Sequence, residues 1–137
     1  MDNLLTIDRV GGQGDGIAAT AEGPVFAPLT LPGERIRAEV KDGRAEQIEI
    51  VEASPDRIAP VSPHYGDCGG CSLQHWAPGP YLEWKREQVR LALAREGIET
   101  EIEATVASPA HSRRRIALHA RRTPEGRVIL GFKARKS

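Results

Sequence analysis

Residues 35–50 read RIRAEVKDGRAEQIEI, and this stretch decides the fold that we expect. Apolar side chains alternate with charged ones along it, at Ile36, Ala38, Val40, Ile48 and Ile50. A period of two places one set on one face of a strand and the other set on the opposite face. Between the two runs, Asp42-Gly43 is a strong signal for a two-residue hairpin turn. The stretch therefore predicts two antiparallel strands that direct one apolar face to a core.

The same pattern of short strands and turns extends outward over residues 3–53. Leu5 and Ile7 alternate with polar neighbours, and residues 17–20 resume the pattern after a glycine-rich break at 11–16. Turns are predicted at Glu22-Gly23 and at Pro32-Gly33. The glycine-rich break superficially resembles a dinucleotide-binding motif, but no crossover helix follows it, so we reject that interpretation. Five short strands predict a small barrel or curled sheet, because closure removes exposed edges.

Residues 54–79 are predicted to be a loop, because eight prolines and glycines interrupt any regular structure there. A stretch of this length without helix or strand is unusual inside a compact domain and needs another organiser. Cys68 and Cys71 lie in it, in a C-x2-C spacing. Such a pair can share a metal, form a redox couple, or consist of two ordinary thiols. The redox alternative is disfavoured, because a thioredoxin-like motif needs a strand before it and a helix at the second cysteine.

Two histidines flank the cysteines and keep a zinc site open as an alternative. The set His64, Cys68, Cys71 and His75 has the spacing H-x3-C-x2-C-x3-H, which could supply four tetrahedral ligands. An iron–sulfur cluster instead takes four thiolates, and the chain contains two cysteines.

A helix is predicted over residues 80–96. Pro80 suits the first helical position and Gly97 suits the stop. One stripe repeats at helical spacing, with a lysine stem contributing, at Leu82, Lys85, Val89, Ala92 and Leu93. We expect Tyr81 and Trp84 to pack the helix onto the loop rather than to stack on bases.

A β-hairpin is predicted over residues 112–136, with a turn at 123–126. Its apolar side chains alternate at Ile116, Leu118, Ala120, Val128, Leu130 and Phe132. We expect this face to lie against a core and the opposite, cationic face to be open. An isolated hairpin is marginally stable, and no partner strands are visible in the chain, which predicts that residue 137 lies within a domain.

The net charge of zero conceals a strong asymmetry. Residues 1–60 hold six Lys and Arg against eleven Asp and Glu, whereas residues 111–137 hold nine against one. So basic a segment is the electrostatic footprint of a protein that binds a polyanion. The alternative is a solvated edge strand that its charges protect from aggregation, although nine cations exceed what such protection needs.

Taken together, these segments resemble a known family. Residues 3–60 resemble a TRAM domain, with matching stretches at 12–16, 31–36 and 54–58. Residues 62–75 resemble the iron–sulfur loop of the bacterial 23S rRNA uracil-5-methyltransferases, and the helix and the hairpin follow in that family's order. Each piece alone is weak, whereas the ordered combination covers nearly the whole chain and is specific.

The resemblance implies a mainly β fold with one helix. Residues 1–58 are expected to form a small OB-like TRAM β-barrel, and residues 59–79 an iron–sulfur-type cysteine loop. Residues 80–137 are expected to add the helix and the β-hairpin, as the start of an incomplete α+β domain that binds RNA.

The resemblance also implies a cofactor set. The family holds a [4Fe–4S] cluster with a C-x5-C-x2-C set and a distant fourth cysteine. Cys68 and Cys71 match the second and third ligands, whereas Ser62 stands at the first position, where a serine oxygen is a harder and weaker ligand. The fourth ligand would lie beyond Ser137.

The family's S-adenosylmethionine and its cysteine nucleophile also belong to a C-terminal domain. No residue of this chain is therefore expected to be catalytic, and the chain alone is expected to be inactive.

The leading hypothesis is thus the N-terminal RNA-binding portion of an S-adenosylmethionine-dependent RNA (uracil-5-)-methyltransferase that acts on rRNA. The residues expected to contact RNA are Arg113, Arg114, Arg115, Arg121, Arg122, Lys133 and Arg135. The alternatives are a stand-alone RNA-binding adaptor with a zinc knuckle and a structural protein with idle cysteines. No membrane association or protein partner is inferred. The absence of a long apolar run and of a signal peptide leads us to expect a cytoplasmic protein.

Overall fold

The computed structural model describes residues 2–135, and it is mostly β with one helix, as predicted. The elements in chain order are β1 (Asp2–Thr6), β2 (Arg9–Val10), β3 (Gly16–Thr20), β4 (Gly23–Ala27), β5 (Arg35–Lys41), β6 (Arg44–Glu52), α1 (Pro78–Arg95), β7 (His119–Arg122) and β8 (Val128–Gly131). Lys136, which the predicted hairpin included, lies outside the described residues.

The first six strands form one curled sheet in the order β1-β5-β6-β4-β3-β2. Neighbours are antiparallel except β4 and β6, which meet in parallel where Phe26 pairs with Arg44. The curled sheet that the sequence predicts is therefore confirmed. Five strands were expected and six are present, because β2 has only two residues and is too short to show any alternation.

The turn between β5 and β6 forms where Asp42-Gly43 predicts it. Asp42 has φ 49° and Gly43 has φ 72°, and Lys41 pairs with Arg44 across the turn. Positive φ at both central residues defines the type I′ turn, whose twist matches that of the flanking strands. The turn sets the register that pairs Val40 with Ala45, and a bulge at Gln47, which has φ 50°, returns Ile48 and Ile50 to the same face.

The core of the sheet consists of the alternating apolar residues. Its buried members are Leu5, Ile7, Ala18, Val25, Ala27, Ile36, Ala38 and Ala45, with Val40, Ile48 and Ile50 packed against them. Since successive side chains alternate between faces, their neighbours in sequence form the outer wall of the barrel.

A second, smaller cluster joins the barrel, the loop and the helix. Val10, Leu31 and Trp76 are buried in it, and Leu73, Tyr81 and Trp84 pack against them. The indole Nε1 of Trp84 donates to the carbonyl oxygen of Val10 at 3.0 Å, which satisfies its polar atom. The prediction that Tyr81 and Trp84 pack α1 onto the loop is confirmed.

The helix begins two residues earlier than predicted, so Pro78 rather than Pro80 occupies its first position. Gly97 ends it as expected, with φ 75°. The N–H groups of Gly97 and Ile98 donate to the carbonyl oxygens of Ala94 and Leu93, both at 3.0 Å, in the Schellman arrangement. No residue of the helix is fully buried, so most of its predicted apolar stripe faces outward. Among residues 2–135, no helix combines the length and apolar character that a membrane span requires.

The C-terminal hairpin forms, but it is shorter than predicted. Ala120 faces Leu130 and Arg122 faces Val128 on one side, whereas Arg121 faces Ile129 on the other. The expectation of an apolar face against a core is wrong for the described residues. Leu118, Val128, Leu130 and Phe132 are 40–65% exposed, so within residues 2–135 no core covers this face.

Candidate nucleic-acid interface and cysteine loop

A buried ion pair fastens the start of the loop to the barrel. Glu34 is fully buried, and Arg57 donates to both of its carboxylate oxygens, from Nε at 2.6 Å and from Nη2 at 2.8 Å. The backbone N–H groups of Leu31 and Ser54 donate to the same carboxylate at 2.8 and 3.2 Å. Burial raises the pKa of Glu34, but the bonds from Arg57 and from the backbone outweigh it and hold the pKa below its ordinary value. The stretches at 31–36 and 54–58 that resemble a TRAM domain thus meet in one salt bridge.

Two short backbone ladders order the loop. At one end the N–H of Ile58 donates to the carbonyl oxygen of His75 at 2.9 Å, and the N–H of Ala77 donates to the carbonyl oxygen of Asp56 at 2.8 Å. At the other end the N–H of Gly69 donates to Lys133 at 2.9 Å. The N–H of Arg135 donates to the carbonyl oxygen of Asp67 at 2.8 Å. These bonds form an isolated antiparallel β-bridge between Cys68 and Ala134. The loop is therefore ordered in part by its contacts with the barrel and with residues 133–135, which follow β8.

His75 lies inside this arrangement, with no exposed surface. Its Nδ1 shares a hydrogen bond with the hydroxyl of Tyr65, and its Nε2 has no partner of good geometry among the described residues. Burial lowers the pKa of His75 to about 4, and the charge of Arg57 acts in the same direction. The backbone of Thr30 near the ring raises the pKa of His75, but this effect is smaller than that of burial. His75 is therefore neutral at pH 7.

The zinc ligand set does not assemble. Among residues 2–135, no three His, Cys, Asp or Glu side chains lie close enough together to hold a metal ion. His75 is enclosed beside Tyr65, while His64 is exposed. The H-x3-C-x2-C-x3-H spacing therefore does not translate into one site, because the fold uses His75 as a core residue.

Cys68 and Cys71 lie together in a half-exposed turn. The N–H of Cys71 donates to the carbonyl oxygen of Cys68 at 3.2 Å, and the N–H of Gly70 donates to the Sγ of Cys68 at 3.3 Å. The hydroxyl of Ser62 accepts a bond from the N–H of His64 at 3.3 Å, so it serves a local turn. A [4Fe–4S] cluster takes four thiolates. Two cysteines do not fit such a cluster on their own.

The predicted RNA contacts fall into two groups. Arg113, Arg114 and Arg115 lie in an exposed segment without regular secondary structure, outside the strand that was expected to hold them. Seven cations of this region have no carboxylate within 4 Å among the described residues, namely Arg113, Arg114, Arg115, Arg121, Arg122, Arg127 and Lys133. Arg127 was not among the predicted contacts. Arg135 differs, because it is mostly buried and lies 3.5 Å from a carboxylate oxygen of Asp15.

Sequence reasoning also missed a cleft between the barrel and the loop. It has a volume of about 430 Å³ and is lined by Gln13, Asp15, Arg44, Gly69, Ser72, Ala134 and Arg135. A second cleft of about 300 Å³ shares Gln13, Asp15 and Arg44 with it and extends over Ile17 and Phe26. These residues come from distant parts of the sequence, so no local pattern marks them.

Known proteins match the chain over nearly its whole length, although no protein-family model matches it. It is 58% identical over 135 residues to a Caulobacter vibrioides protein named an uncharacterized RNA methyltransferase, covering 97% of this chain and 32% of that protein. It is 40% identical over 141 residues to the 23S rRNA (uracil(1939)-C(5))-methyltransferase RlmD of Halomonas elongata, covering 97% and 29%. The corresponding protein of Chromohalobacter salexigens is 37% identical over 140 residues, covering 97% and 30%. The chain spans about a third of the length of these curated relatives, and it belongs to their family, the RNA methyltransferases.

Proposed function

We propose that this chain is the RNA-binding portion of an S-adenosylmethionine-dependent RNA (uracil-C5) methyltransferase that acts on rRNA in the cytoplasm. The observation that carries the proposal is the set of seven exposed cations at 113–133, which have no acidic partner within residues 2–135. The names of the Halomonas and Chromohalobacter relatives supply the reaction and the RNA class. We place the residues that bind S-adenosylmethionine and perform the transfer outside residues 1–137, as the family resemblance implies.

We assign one role to each of the three predicted segments. Residues 1–58 form the TRAM-like barrel, residues 59–79 the cysteine loop, and residues 80–137 the start of the central RNA-binding region. Unpaired guanidinium groups retain all their donors for phosphate oxygens, whereas paired ones have already committed some of them. If about four to six phosphates of a single strand are contacted, log affinity falls with log salt concentration at a slope of roughly −3 to −4.

Charge reversal tests the RNA-binding part of the proposal. We expect Arg113→Glu plus Arg115→Glu to weaken binding of a single-stranded rRNA fragment by at least about tenfold at low salt and to flatten the salt slope. The matched control is Arg90→Glu plus Arg95→Glu on α1, which changes the net charge equally. Equal affinity of the two variants would contradict the cationic segment as the contact surface.

The reaction is tested on the full-length protein. Transfer of a labelled methyl group from S-adenosylmethionine to 23S rRNA, mapped to C5 of a uridine, is the expected result. Full-length protein that binds S-adenosylmethionine but labels only tRNA, or another atom of the base, would overturn the assigned substrate or position.

We further propose that Cys68 and Cys71 are the two thiolates that this chain contributes to a [4Fe–4S] cluster, with the other ligands outside it. The half-exposed position of both sulfurs and the N–H donor on Cys68 support this. Anaerobically purified full-length protein should contain iron and show the cluster's visible absorption. Cys71→Ser should remove both, whereas Ser62→Ala should remove neither, because that hydroxyl holds a turn. Zinc in place of iron, or iron retained by the Cys71 variant, would refute the assignment.

A further inference from the structure

An aromatic ring and a guanidinium lie side by side on the outer wall of the barrel. Ile17 of β3 pairs with Phe26 of β4, and Phe26 pairs with Arg44 of β6. Residues paired in this way project from the same face of a sheet. Their sequence neighbours Ala18, Val25, Ala27 and Ala45 are buried in the core. The row Ile17–Phe26–Arg44 therefore faces outward across three strands.

A glycine-rich turn forms the wall of the cleft above this row. A Cβ added to Gly11 would lie 2.8 Å from the Cδ1 of Ile17, so the turn rests directly on the apolar end of the row. Ile17 is thereby buried, whereas Phe26 stays 37% exposed. The side chain of Gln13 extends from the same turn and lines both parts of the cleft. The result is a concave surface with one open aromatic ring and an amide beside it.

The charged end of the cleft is held in place by one carboxylate. Asp15 is 16% exposed and lies 2.8 Å from Arg44 and 3.5 Å from Arg135. Two guanidinium groups around one carboxylate leave one net positive charge. A guanidinium has five N–H donors, so a single contact to Asp15 leaves donors of Arg44 for another anion. Asp15 therefore orients the two arginines without cancelling their charge.

We propose that this cleft binds one nucleotide of single-stranded RNA, with the base on the ring of Phe26 and a phosphate on Arg44 and Arg135. Gln13 lies where its amide can bond the edge of that base. Stacking on an aromatic ring beside a cationic groove is how proteins hold unpaired bases, and it tolerates any base identity. The inference rests on the proposed RNA-binding function and adds to it a site on the barrel, which the 113–133 cations border at Lys133 through the bond of its carbonyl oxygen to Gly69.

The test is fluorescence anisotropy with a labelled single-stranded oligouridylate and the full chain. Phe26→Ala should weaken binding by about tenfold without changing the salt slope, because stacking releases no counterions. Phe26→Tyr should bind like the wild type, whereas Phe26→Leu should resemble Phe26→Ala. Arg44→Gln should weaken binding and reduce the magnitude of the salt slope by about 0.7, the value for one phosphate contact on a single strand.

Two matched controls on the barrel separate a site from a general surface effect. Leu4→Ala removes an exposed apolar side chain from β1, and Arg37→Gln removes an exposed arginine that pairs with Glu49 at 2.8 Å. Both should bind RNA like the wild type. Unchanged thermal unfolding of the Phe26 and Arg44 variants shows that they fold.

The outcomes distinguish the site from the function. If the Phe26 and Arg44 variants bind like their controls while Arg113→Glu plus Arg115→Glu binds weakly, this site is wrong and the proposed function stands. If the wild-type chain binds no RNA, both are overturned. Should Phe26→Ala fail to fold, photo-crosslinking of 4-thiouridine RNA to wild-type chain decides the matter. Crosslinks at residues 24–27 support the site, and crosslinks confined to residues 113–133 refute it.

Discussion

The barrel and the C-terminal segment both contain arginines and apolar side chains, but they differ in how far these are paired and buried. In the barrel and the loop start, four arginines each pair with a carboxylate, namely Arg35, Arg37, Arg44 and Arg57. Between residues 113 and 133, seven cations have no such partner among the described residues. The apolar side chains divide likewise, since Ile7 and Ile36 are at most 1% exposed whereas Val128 and Leu130 are 65% and 63% exposed.

The barrel buries a contiguous apolar core and pairs four of its arginines with carboxylates. The C-terminal segment leaves both its charge and its apolar side chains available. Val128 and Leu130 lie exposed on one face of the hairpin, and exposed apolar side chains grouped in this way are typical of interaction sites.

The largest effect is expected at the buried ion pair. Arg57→Gln leaves the Glu34 carboxylate buried without its counterion, which should lower the free energy of unfolding by about 3–5 kcal/mol. Arg37→Gln removes one partner of an exposed pair and should cost less than about 1 kcal/mol. Urea unfolding of the two variants measures both values. Similar losses of unfolding free energy in the two variants would show that the barrel does not depend on the Glu34–Arg57 ion pair.

A smaller effect is expected from protonation of His75. Its pKa is about 4 in the folded chain against an ordinary 6.5, so the unfolded chain binds the proton more readily. The stabilisation is complete above about pH 6.5 and is lost as the pH falls towards 4, amounting to about 3 kcal/mol. The free energy of unfolding, measured between about pH 6.5 and 4, should fall with pH in wild-type protein and in His64→Gln. It should change much less with pH in His75→Gln. An unchanged slope in His75→Gln would assign the pH dependence to other groups.

The smallest effect compares two glycines with positive φ. Gly43→Ala in the barrel turn, at φ 72°, should lower the free energy of unfolding by about 1–2 kcal/mol, because an L side chain is strained there. Gly126→Ala imposes the same strain at φ 84° in the C-terminal hairpin. It should leave the unfolding of the barrel unchanged within about 0.5 kcal/mol, because the hairpin adds little buried surface. Equal losses would mean that the two regions unfold as one unit.

Much of the barrel was predictable because its signals are local. The alternation at Ile36, Ala38 and Val40 identified the core face, and Asp42-Gly43 identified the turn. The helix was predicted to within two residues at its start, where two nearby prolines offered the same signal and Pro78 rather than Pro80 occupies the first position. In each case the decisive groups lie within a few residues of one another.

The candidate sites were less predictable, since equal spacings can serve different ends. His75 has the spacing of a zinc ligand, yet it became a buried core residue beside Tyr65. Arg135 looked like any other cation of the basic segment, yet it reaches Asp15. The hairpin alternation predicted an apolar face correctly in part, but it carried no information on what covers that face.

Most of the strands, the tight turns, the helix and the place where positive charge accumulates follow from local patterns, because backbone geometry and side-chain period act over short distances. Which charges are cancelled and which remain available depends instead on contacts between distant parts of the chain. Glu34 meets Arg57 across 23 positions, and Asp15 meets Arg44 across 29. Such pairs depend on how the sheet curls and on where the loop returns to it. Close electrostatic contacts are strong only at a few ångströms, so their partners become known only once the chain is folded.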